Sequence, residues 1–240
     1  MNTAILLAAG SGRRMQAAIS DKILAHLNGI EVFAYSIHAF LESGAIDAFT
    51  IAFRDELQRE ELISALLAID LKNIPVSWVS GGKERQDSVI HALRAQPDNC
   101  EYVFIHDCAR PLVTPGAIQA VRDAVVRDHA AVLAHSVPDT IKRIPDAERL
   151  ERTELEDLER TRLWAMETPQ AFRYTDIRKA YEQILAQGLH VTDDTAAAAI
   201  VGLKTTIVPN STPNPKLTTP ADLRYAEWLL ACRAANNPGA

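Results

Sequence analysis

Residues 4–15 decide the fold, with the sequence Ala-Ile-Leu-Leu-Ala-Ala-Gly-Ser-Gly-Arg-Arg-Met. The first half is a continuous apolar run, which is typical of a strand covered on both faces of a sheet. Gly10 and Gly12 follow at the point where an α/β sheet places its ligand crevice. Glycines let the backbone approach a phosphate, because successive N–H groups can form an anion-binding nest. Arg14 adds positive charge, so the stretch predicts an α/β protein with an anion-binding loop.

Several interpretations of this loop stay open on these residues alone. A dinucleotide-binding loop would need a third glycine where Met15 stands, and a P-loop would need Gly-Lys-Ser/Thr, so both match poorly. A bare tight turn without a ligand is the structural alternative. The pair Arg13 and Arg14, directly after the glycines, argues against the bare turn.

The remaining chain alternates short apolar runs with segments of helical periodicity, which predicts a mostly parallel sheet with helices on both faces. Thr114-Pro115 and Thr219-Pro220 predict helix starts, and Gly188 predicts a helix end. Residues 138–163 are rich in Arg, Glu and Asp and predict a projecting β-arm. We therefore expect one domain over residues 1–240 with a Rossmann-like, three-layer α/β/α fold. The predicted strands are Ala4–Ala8, Phe49–Phe53, Val76–Val79, Tyr102–Ile105 and Ala131–Ala134.

Composition excludes several classes of function. The 240 residues carry a formal net charge of −6, which argues against nucleic-acid binding because that requires a basic face. No stretch approaches the roughly 20 apolar residues that span a bilayer. The three cysteines, Cys100, Cys108 and Cys232, have neither disulfide nor zinc-ribbon spacing, which favours a reducing cytoplasm.

Two glycine-containing motifs resemble a known superfamily. Residues 8–15, Ala-Ala-Gly-Ser-Gly-Arg-Arg-Met, resemble the loop of sugar-phosphate nucleotidyltransferases, in which a lysine follows; Lys22 is the candidate. Asp21 precedes that lysine as a departure from the family pattern, and a carboxylate there could pair with it. Residues 81–89, Gly-Gly-Lys-Glu-Arg-Gln-Asp-Ser-Val, resemble the pyrimidine-reading element of cytidylyltransferases. Charge pattern alone would also allow an exposed turn there.

Four later motifs follow along the chain: His106–Pro111, the two halves of the arm in 137–142 and 159–172, His190–Asp194 and Asn214–Leu223. They occur in the order found in the 2-C-methyl-D-erythritol 4-phosphate cytidylyltransferase family, which the chain resembles from residue 4 to about residue 228. Each also has a plainer interpretation: a surface ion pair for Asp-x-x-Arg, a charged hairpin for the arm, simple helix capping by Thr192 or an aspartate for residues 190–194, and an exposed loop lysine for Lys216. His106 and His135 are interpreted as structural, and Cys108 as a packed side chain.

This resemblance implies a Mg²⁺-dependent enzyme that joins CMP from CTP to a polyol phosphate and dimerises through the arm. By resemblance the catalytic cations are Arg14, Lys22, Arg160 and Lys216. The implied nucleotide-binding residues are Ala8, Ala9, Gly10, Ser11, Gly12, Gly81, Gly82, Lys83 and Ser88. The implied acceptor-binding residues are Asp107, Arg110, Thr140, Thr168 and Thr192, with Asp107 also the metal ligand.

Two other functions stay open at this point. Ribitol 5-phosphate cytidylyltransferase shares the fold, the nucleotide loop and much of the arm. Residues 107–110 and the run Glu159–Trp164 favour the methylerythritol enzyme over it. The other alternative is a non-catalytic nucleotide-binding paralogue, which Asp21 and a lengthened first loop suggest.

Overall fold

The computed structural model describes residues 1–10, 21–148 and 150–236. Strands and helices alternate along most of this length, as the sequence predicts. The strands are β1 Asn2–Leu7, β2 His26–Leu27, β3 Ile30–Glu31, β4 Ala48–Phe53, β5 Val76–Ser80, β6 Tyr102–Asp107, β7 Ala130–Ser136, β8 Lys142–Arg143, β9 Glu156–Asp157, β10 Trp164–Arg173 and β11 Thr206–Pro209. The helices are α1 Val32–Ser43, α2 Glu56–Leu66, α3 Arg85–Arg94, α4 Pro115–Asp128, α5 Tyr174–Gln187, α6 Asp194–Ile200 and α7 Pro220–Asn236.

A seven-stranded sheet with the order β11-β7-β10-β6-β1-β4-β5 forms the centre of the protein. Among the described strands of this sheet, β10 alone runs antiparallel to its neighbours, β6 and β7, while the other pairs are parallel. All six residues of β4 and all six of β6 are buried, as expected for strands covered on both faces. The mostly parallel α/β sheet is therefore confirmed.

Alternate residues of the central strands enter two separate apolar clusters, one on each face of the sheet. Leu6 and Phe104 pack with Phe33 of α1 in the first cluster. Ile5 packs with Ile177 of α5 in the second. Because each face of the sheet is covered by helices, the three-layer arrangement is confirmed. In the described segments, no helix has the length and apolarity needed to cross a membrane.

Helix boundaries follow the local signals in the sequence. Thr114 caps α4 by accepting a hydrogen bond from the N–H of Ala117 at 3.2 Å. Gly188 ends α5 in the left-handed region with φ 62°, a conformation that glycine adopts without a steric penalty. Helix α7 begins at Pro220, as the Thr219-Pro220 pair predicts.

The sequence missed β10 and β11, which complete one end of the sheet. The first five residues of β10 follow directly on the arm and contain Glu167 and Thr168, so they lack the apolar run that predicts a buried strand. The arm itself is a short hairpin of β8 and β9, in which Arg143 pairs with Glu156 at 3.1 Å. Strand β10 therefore brings the end of the arm segment back into the body of the protein.

Candidate active site

Three adjoining crevices lie where β1, β5, β6 and β10 meet two loops. One loop is residues 81–84 and the other is residues 210–216. The first, which we call the glycine crevice, has a volume of about 500 Å³. Its charged lining has five cations and two carboxylates among the described residues, so positive charge dominates. The cations are Lys22, Arg54, Lys83, Arg85 and Lys216, and the carboxylates are Glu84 and Asp107. Of the residues predicted to bind nucleotide, Ala9, Gly10, Gly82, Lys83 and Ser88 line this crevice.

Close packing explains the two glycines after β5. A Cβ atom on Gly81 would lie 2.4 Å from the Cβ of Ala9, and one on Gly82 would lie 2.1 Å from the Cβ of Asp87. The hydroxyl of Ser88 accepts a hydrogen bond from the N–H of Gly82 at 3.0 Å. The loop after β5 is thus held directly against the end of β1, and both contribute to one wall of the crevice.

Asp107 ends β6 between two cations. Its Oδ1 accepts a hydrogen bond from Arg85 Nε at 3.1 Å, and its Oδ2 accepts one from Lys216 Nζ at 2.6 Å. Burial alone would raise the pKa of this carboxyl, but the charges of Arg85 and Lys216 hold the pKa well below its usual range. Asp107 is therefore an anion at neutral pH, and it fixes the ammonium of Lys216 at the edge of the crevice.

A buried ion network behind Asp107 was not predicted from the sequence. Arg85 makes a two-pronged contact with Asp194, at 3.0 and 2.7 Å, and the carboxylate of Asp194 is fully buried. Tyr181 donates a further hydrogen bond to Asp194 Oδ1 at 2.5 Å. Burial would lower the pKa of Arg85, but Asp194 and Asp107 raise it well above its usual range. Arg85 is consequently a fixed cation that orients Asp107.

The second crevice, which we call the threonine crevice, has a volume of about 280 Å³ and is lined by Arg110, Thr168 and Thr192 together with Asp107 and Lys216. It contains every predicted acceptor-binding residue except Thr140. Asp193, and not Thr192, caps α6 by accepting a hydrogen bond from Ala196 N–H at 2.9 Å. Thr192 is therefore not needed as the cap.

Thr168 and His106 form a hydrogen-bonded pair behind this crevice. The Thr168 hydroxyl accepts a hydrogen bond from the N–H of Asp107 at 3.2 Å and lies 3.0 Å from His106 Nδ1. Burial lowers the pKa of His106 to about 4, so its ring is neutral at pH 7. Nε2 of the same ring lies 3.2 Å from the hydroxyl of Ser36. The structural role predicted for His106 is confirmed.

The third crevice, which we call the asparagine crevice, has a volume of about 540 Å³ and again includes Arg110 and Lys216. The buried Glu167 lines it, a residue that the sequence placed in the arm motif without assigning it a role. Glu167 Oε2 accepts hydrogen bonds from the side-chain amides of Asn210 at 3.0 Å and Asn214 at 2.8 Å. These bonds anchor the loop that leads to Lys216.

Lys22 lies in the glycine crevice, where its Nζ donates to the carbonyl of Leu217 at 3.3 Å. The carboxylate of the preceding residue, Asp21, accepts hydrogen bonds from Arg54 Nη1 at 2.8 Å and Gln58 Nε2 at 2.6 Å. Asp21 therefore takes part in a buried network that the sequence did not suggest. The lysine next to it still lines the predicted site.

Other predicted site residues lie away from these crevices or outside the described part of the chain. Thr140 and Arg160 are exposed on the arm, and Arg160 Nη1 donates to the carbonyl of Pro138 at 3.0 Å. They do not line the three crevices of their own chain. The predicted residues outside the described ranges are Ser11, Gly12 and Arg14.

Asp107 is the residue whose chemistry fits a magnesium ion. Mg²⁺ prefers hard oxygen ligands and is commonly bound by one or two carboxylates together with substrate phosphates. Within residues 1–10, 21–148 and 150–236, no group of three or more potential His, Cys, Asp or Glu ligands occurs. A site at Asp107 would therefore draw its remaining ligands from a bound substrate and water.

Comparison with known proteins gives a consistent family. The family model IspD, 2-C-methyl-D-erythritol 4-phosphate cytidylyltransferase, matches residues 2–232. The chain is 37% identical over 233 residues to the 2-C-methyl-D-erythritol 4-phosphate cytidylyltransferase of Clostridioides difficile, covering 96% of this chain and 94% of the relative. It is 38% identical over 231 residues to the protein of that name from a Synechococcus strain, covering 95% and 96%.

Solved structures agree with the sequence relatives. The crystal structure of 4-diphosphocytidyl-2C-methyl-D-erythritol synthase from Anaerococcus prevotii has a TM-score of 0.82 and 25% identity, with 96% of this chain and 98% of that chain covered. The Francisella tularensis 2-C-methyl-D-erythritol 4-phosphate cytidylyltransferase has a TM-score of 0.76 and 26% identity, with 95% and 99% covered. This chain therefore belongs to the 2-C-methyl-D-erythritol 4-phosphate cytidylyltransferase family.

Proposed function

We propose that this chain transfers CMP from CTP to 2-C-methyl-D-erythritol 4-phosphate and releases pyrophosphate, a step in isoprenoid precursor synthesis. CTP occupies the glycine crevice and the polyol phosphate occupies the threonine crevice. The observation that supports this arrangement is that Lys216 lines both, so one ammonium can contact both substrates. The cationic lining of the glycine crevice offsets the negative charge of a triphosphate.

In the proposed reaction, a phosphate oxygen of the acceptor attacks the α-phosphorus of CTP in line. A new P–O bond forms, the bond to the β-phosphate oxygen breaks, and pyrophosphate leaves with that electron pair. Such transfers depend on positioning and on neutralising charge at the phosphorus oxygens, so a protein nucleophile is not required. Burial raises the pKa of Cys108, which supports the interpretation of that thiol as a packed side chain.

The site residues divide into three proposed roles. Lys22 and Lys216, with Arg14, stabilise the charge that develops on the phosphates. Asp107, Arg110, Thr168 and Thr192 hold the acceptor, since guanidinium, carboxylate and hydroxyl groups match phosphate and polyol oxygens. The nucleotide is held by two loops: Ala8, Ala9, Gly10, Ser11 and Gly12 bind its phosphates, and Gly81, Gly82, Lys83 and Ser88 contact the cytosine ring.

Asp107 would hold Mg²⁺ in this scheme. Bound Mg²⁺ would neutralise part of the charge on the triphosphate. Both oxygens of Asp107 already contact cations, Arg85 and Lys216, so the carboxylate would be shared between these residues and the metal.

A pyrophosphate-release assay tests this function. We expect CTP with 2-C-methyl-D-erythritol 4-phosphate to yield pyrophosphate and a CDP-polyol, and EDTA to abolish the release. Ribitol 5-phosphate serves as the competing acceptor, and a higher kcat/KM with it would contradict the assignment. Tight CTP binding without turnover on either acceptor would instead indicate a non-catalytic paralogue.

We further infer that residues 138–163 are an arm of a single nucleotidyltransferase domain, residues 1–240, and that it completes the site of a second copy in a homodimer. Ile141, Leu150 and Leu155 are exposed on the arm, which favours contact with a partner surface. Arg160 and Thr140 lie outside the crevices of their own chain. A position across the dimer interface would let them bind the acceptor phosphate of the partner.

Mixing two inactive variants tests the arm. Arg160→Ala and Lys216→Ala should each be impaired, but a mixed dimer retains one site with both cations intact. After denaturation and refolding together, random pairing should restore about a quarter of wild-type activity, because half of the dimers are mixed and each has one complete site. If mixed dimers form but no activity is recovered, the proposal that the two chains share a site is contradicted. Each variant refolded alone is the control.

A further inference from the structure

We propose that Arg54 is an additional cation for the triphosphate of CTP and that Asp21 is its positioning residue. This inference rests on the proposed function, because it assigns Arg54 to the nucleotide in the glycine crevice. Arg54 belongs to none of the motifs that indicated the site, and Asp21 stands beside Lys22 as a departure from one of them. Arg54 lines the crevice just after the end of β4, and Asp21 directly precedes Lys22, which lines the same crevice.

Arg54 directly follows β4 and lines the glycine crevice, and 33% of its side chain is exposed. Its Nε donates to Asp55 Oδ2 at 2.7 Å, and its Nη1 donates to Asp21 Oδ2 at 2.8 Å. A guanidinium has five N–H donors, and these two bonds use two of them. Within the described part of the chain, the other donors have no hydrogen-bond partner and remain for a ligand.

Asp21 is a buried carboxylate whose hydrogen bonds fix its orientation. Its side chain is 5% exposed, and its oxygens accept from Gln58 Nε2 at 2.6 Å and from the N–H of Ile23 at 2.9 Å, in addition to Arg54. A buried carboxylate is costly unless a cation compensates it. Arg54 is that compensating cation, which keeps its side chain at the crevice wall.

Gln58 joins this pair to the rest of the site. It is fully buried, and its Nε2 donates to the carbonyl of Ala8 at 3.1 Å as well as to Asp21. Its Oε1 accepts from the backbone N–H of Arg54 at 2.7 Å. One amide therefore ties together the end of β1, the residue before Lys22 and the backbone of Arg54.

The position of Arg54 points to the phosphates rather than to the base. Its partner Asp21 directly precedes Lys22, so Arg54 lies on the Lys22 side of the crevice. Gly82 and Ser88, the proposed base-contacting residues, lie at the loop after β5 and in the first turns of α3, where the N–H of Gly82 donates to the Ser88 hydroxyl. A guanidinium offers two-pronged hydrogen bonds that match phosphate geometry. An ion pair with a purely structural role would not require Arg54 to line the crevice.

Isothermal titration with CTP and with uncharged cytidine tests Arg54. We expect Arg54→Gln to weaken CTP binding about 10-fold or more, the usual effect of losing a hydrogen bond between charged groups, and to leave cytidine binding unchanged. KM for CTP should rise and KM for the acceptor should not. Arg122→Gln, which removes an exposed arginine of α4, is the control for charge and should bind CTP as the wild type does. Unchanged CTP affinity, or an equal loss for cytidine, would overturn the assignment.

A double-mutant cycle tests the role of Asp21. The asparagine side chain in Asp21→Asn cannot accept all three hydrogen bonds that Asp21 accepts. This variant should therefore weaken CTP binding, as Arg54→Gln does. If Asp21 acts through Arg54, the double variant should lose much less than the two single losses combined. Additive losses would overturn the positioning role. Turnover by the wild type separates this inference from the proposed function. If the wild type releases pyrophosphate but Arg54→Gln binds CTP as tightly as the wild type does, only the Arg54 inference is refuted. If the wild type shows no turnover, the proposed function is refuted.

Discussion

Lys216→Ala should lower kcat by about 10²–10³-fold, the usual cost of removing one preorganised charge-stabilising group. The ammonium of Lys216 is 2.6 Å from Asp107 and lines all three crevices, so its loss removes a cation from both proposed substrate sites. Steady-state kinetics with CTP and 2-C-methyl-D-erythritol 4-phosphate measure the effect.

Lys204→Ala is the matched control, since Lys204 is an exposed lysine in the loop before β11 and does not line a crevice. It should retain wild-type kcat. Lys216→Arg should retain part of the activity, because the charge remains while its shape and reach change. Near-normal turnover of Lys216→Ala would contradict the proposed mechanism.

Arg85→Met should lower the free energy of unfolding by about 3–5 kcal/mol, since breaking a buried ion pair leaves an uncompensated charge. In this variant, the fully buried carboxylate of Asp194 keeps the hydrogen bond from Tyr181 but loses both bonds from Arg85. The carboxylate of Asp107 keeps the hydrogen bond from Lys216. Urea unfolding followed by circular dichroism measures the loss.

Two variants separate this cause from a general effect of losing an arginine. Arg94→Met removes an arginine that makes the same two-pronged contact, with Glu182, but on the protein surface, so its effect should be small by comparison. Arg85→Met combined with Asp194→Leu should recover part of the stability, because the unpaired carboxylate is then gone. An equal loss for Arg94→Met and Arg85→Met would contradict the explanation.

The sequence predicted the parts of the fold in which local pattern and burial agree. The apolar runs that became β1, β4 and β6 are buried on both faces, and Thr114 and Gly188 mark helix ends through backbone chemistry. Strand β10 was missed because its buried residues include Glu167, Thr168 and Gln170, whose polarity serves the crevices instead of an apolar core. A strand that carries site residues does not show the pattern of a core strand.

The candidate site was predictable only where its residues fall in short motifs. Lys22, Asp107 and Lys216 were recognised in this way, and the structure brings all three to one crevice. Arg85 also lies in a motif, but charge pattern alone allowed a solvated turn, because its partner Asp194 is 109 residues away along the chain. No sequence motif indicated the pair of Asp21 and Arg54, because these two residues are 33 positions apart along the chain. Contacts of this kind depend on the tertiary fold.

The common wall at Lys216 has a consequence for inhibitor chemistry. Since Lys216 borders both the crevice proposed for the nucleotide and the crevice proposed for the acceptor, the two crevices adjoin at this side chain. A bisubstrate compound, with a cytidine end and a polyol phosphate end joined by a short linker, could occupy both at once. Its second end would then bind at a high effective concentration, which raises overall affinity without any new contact.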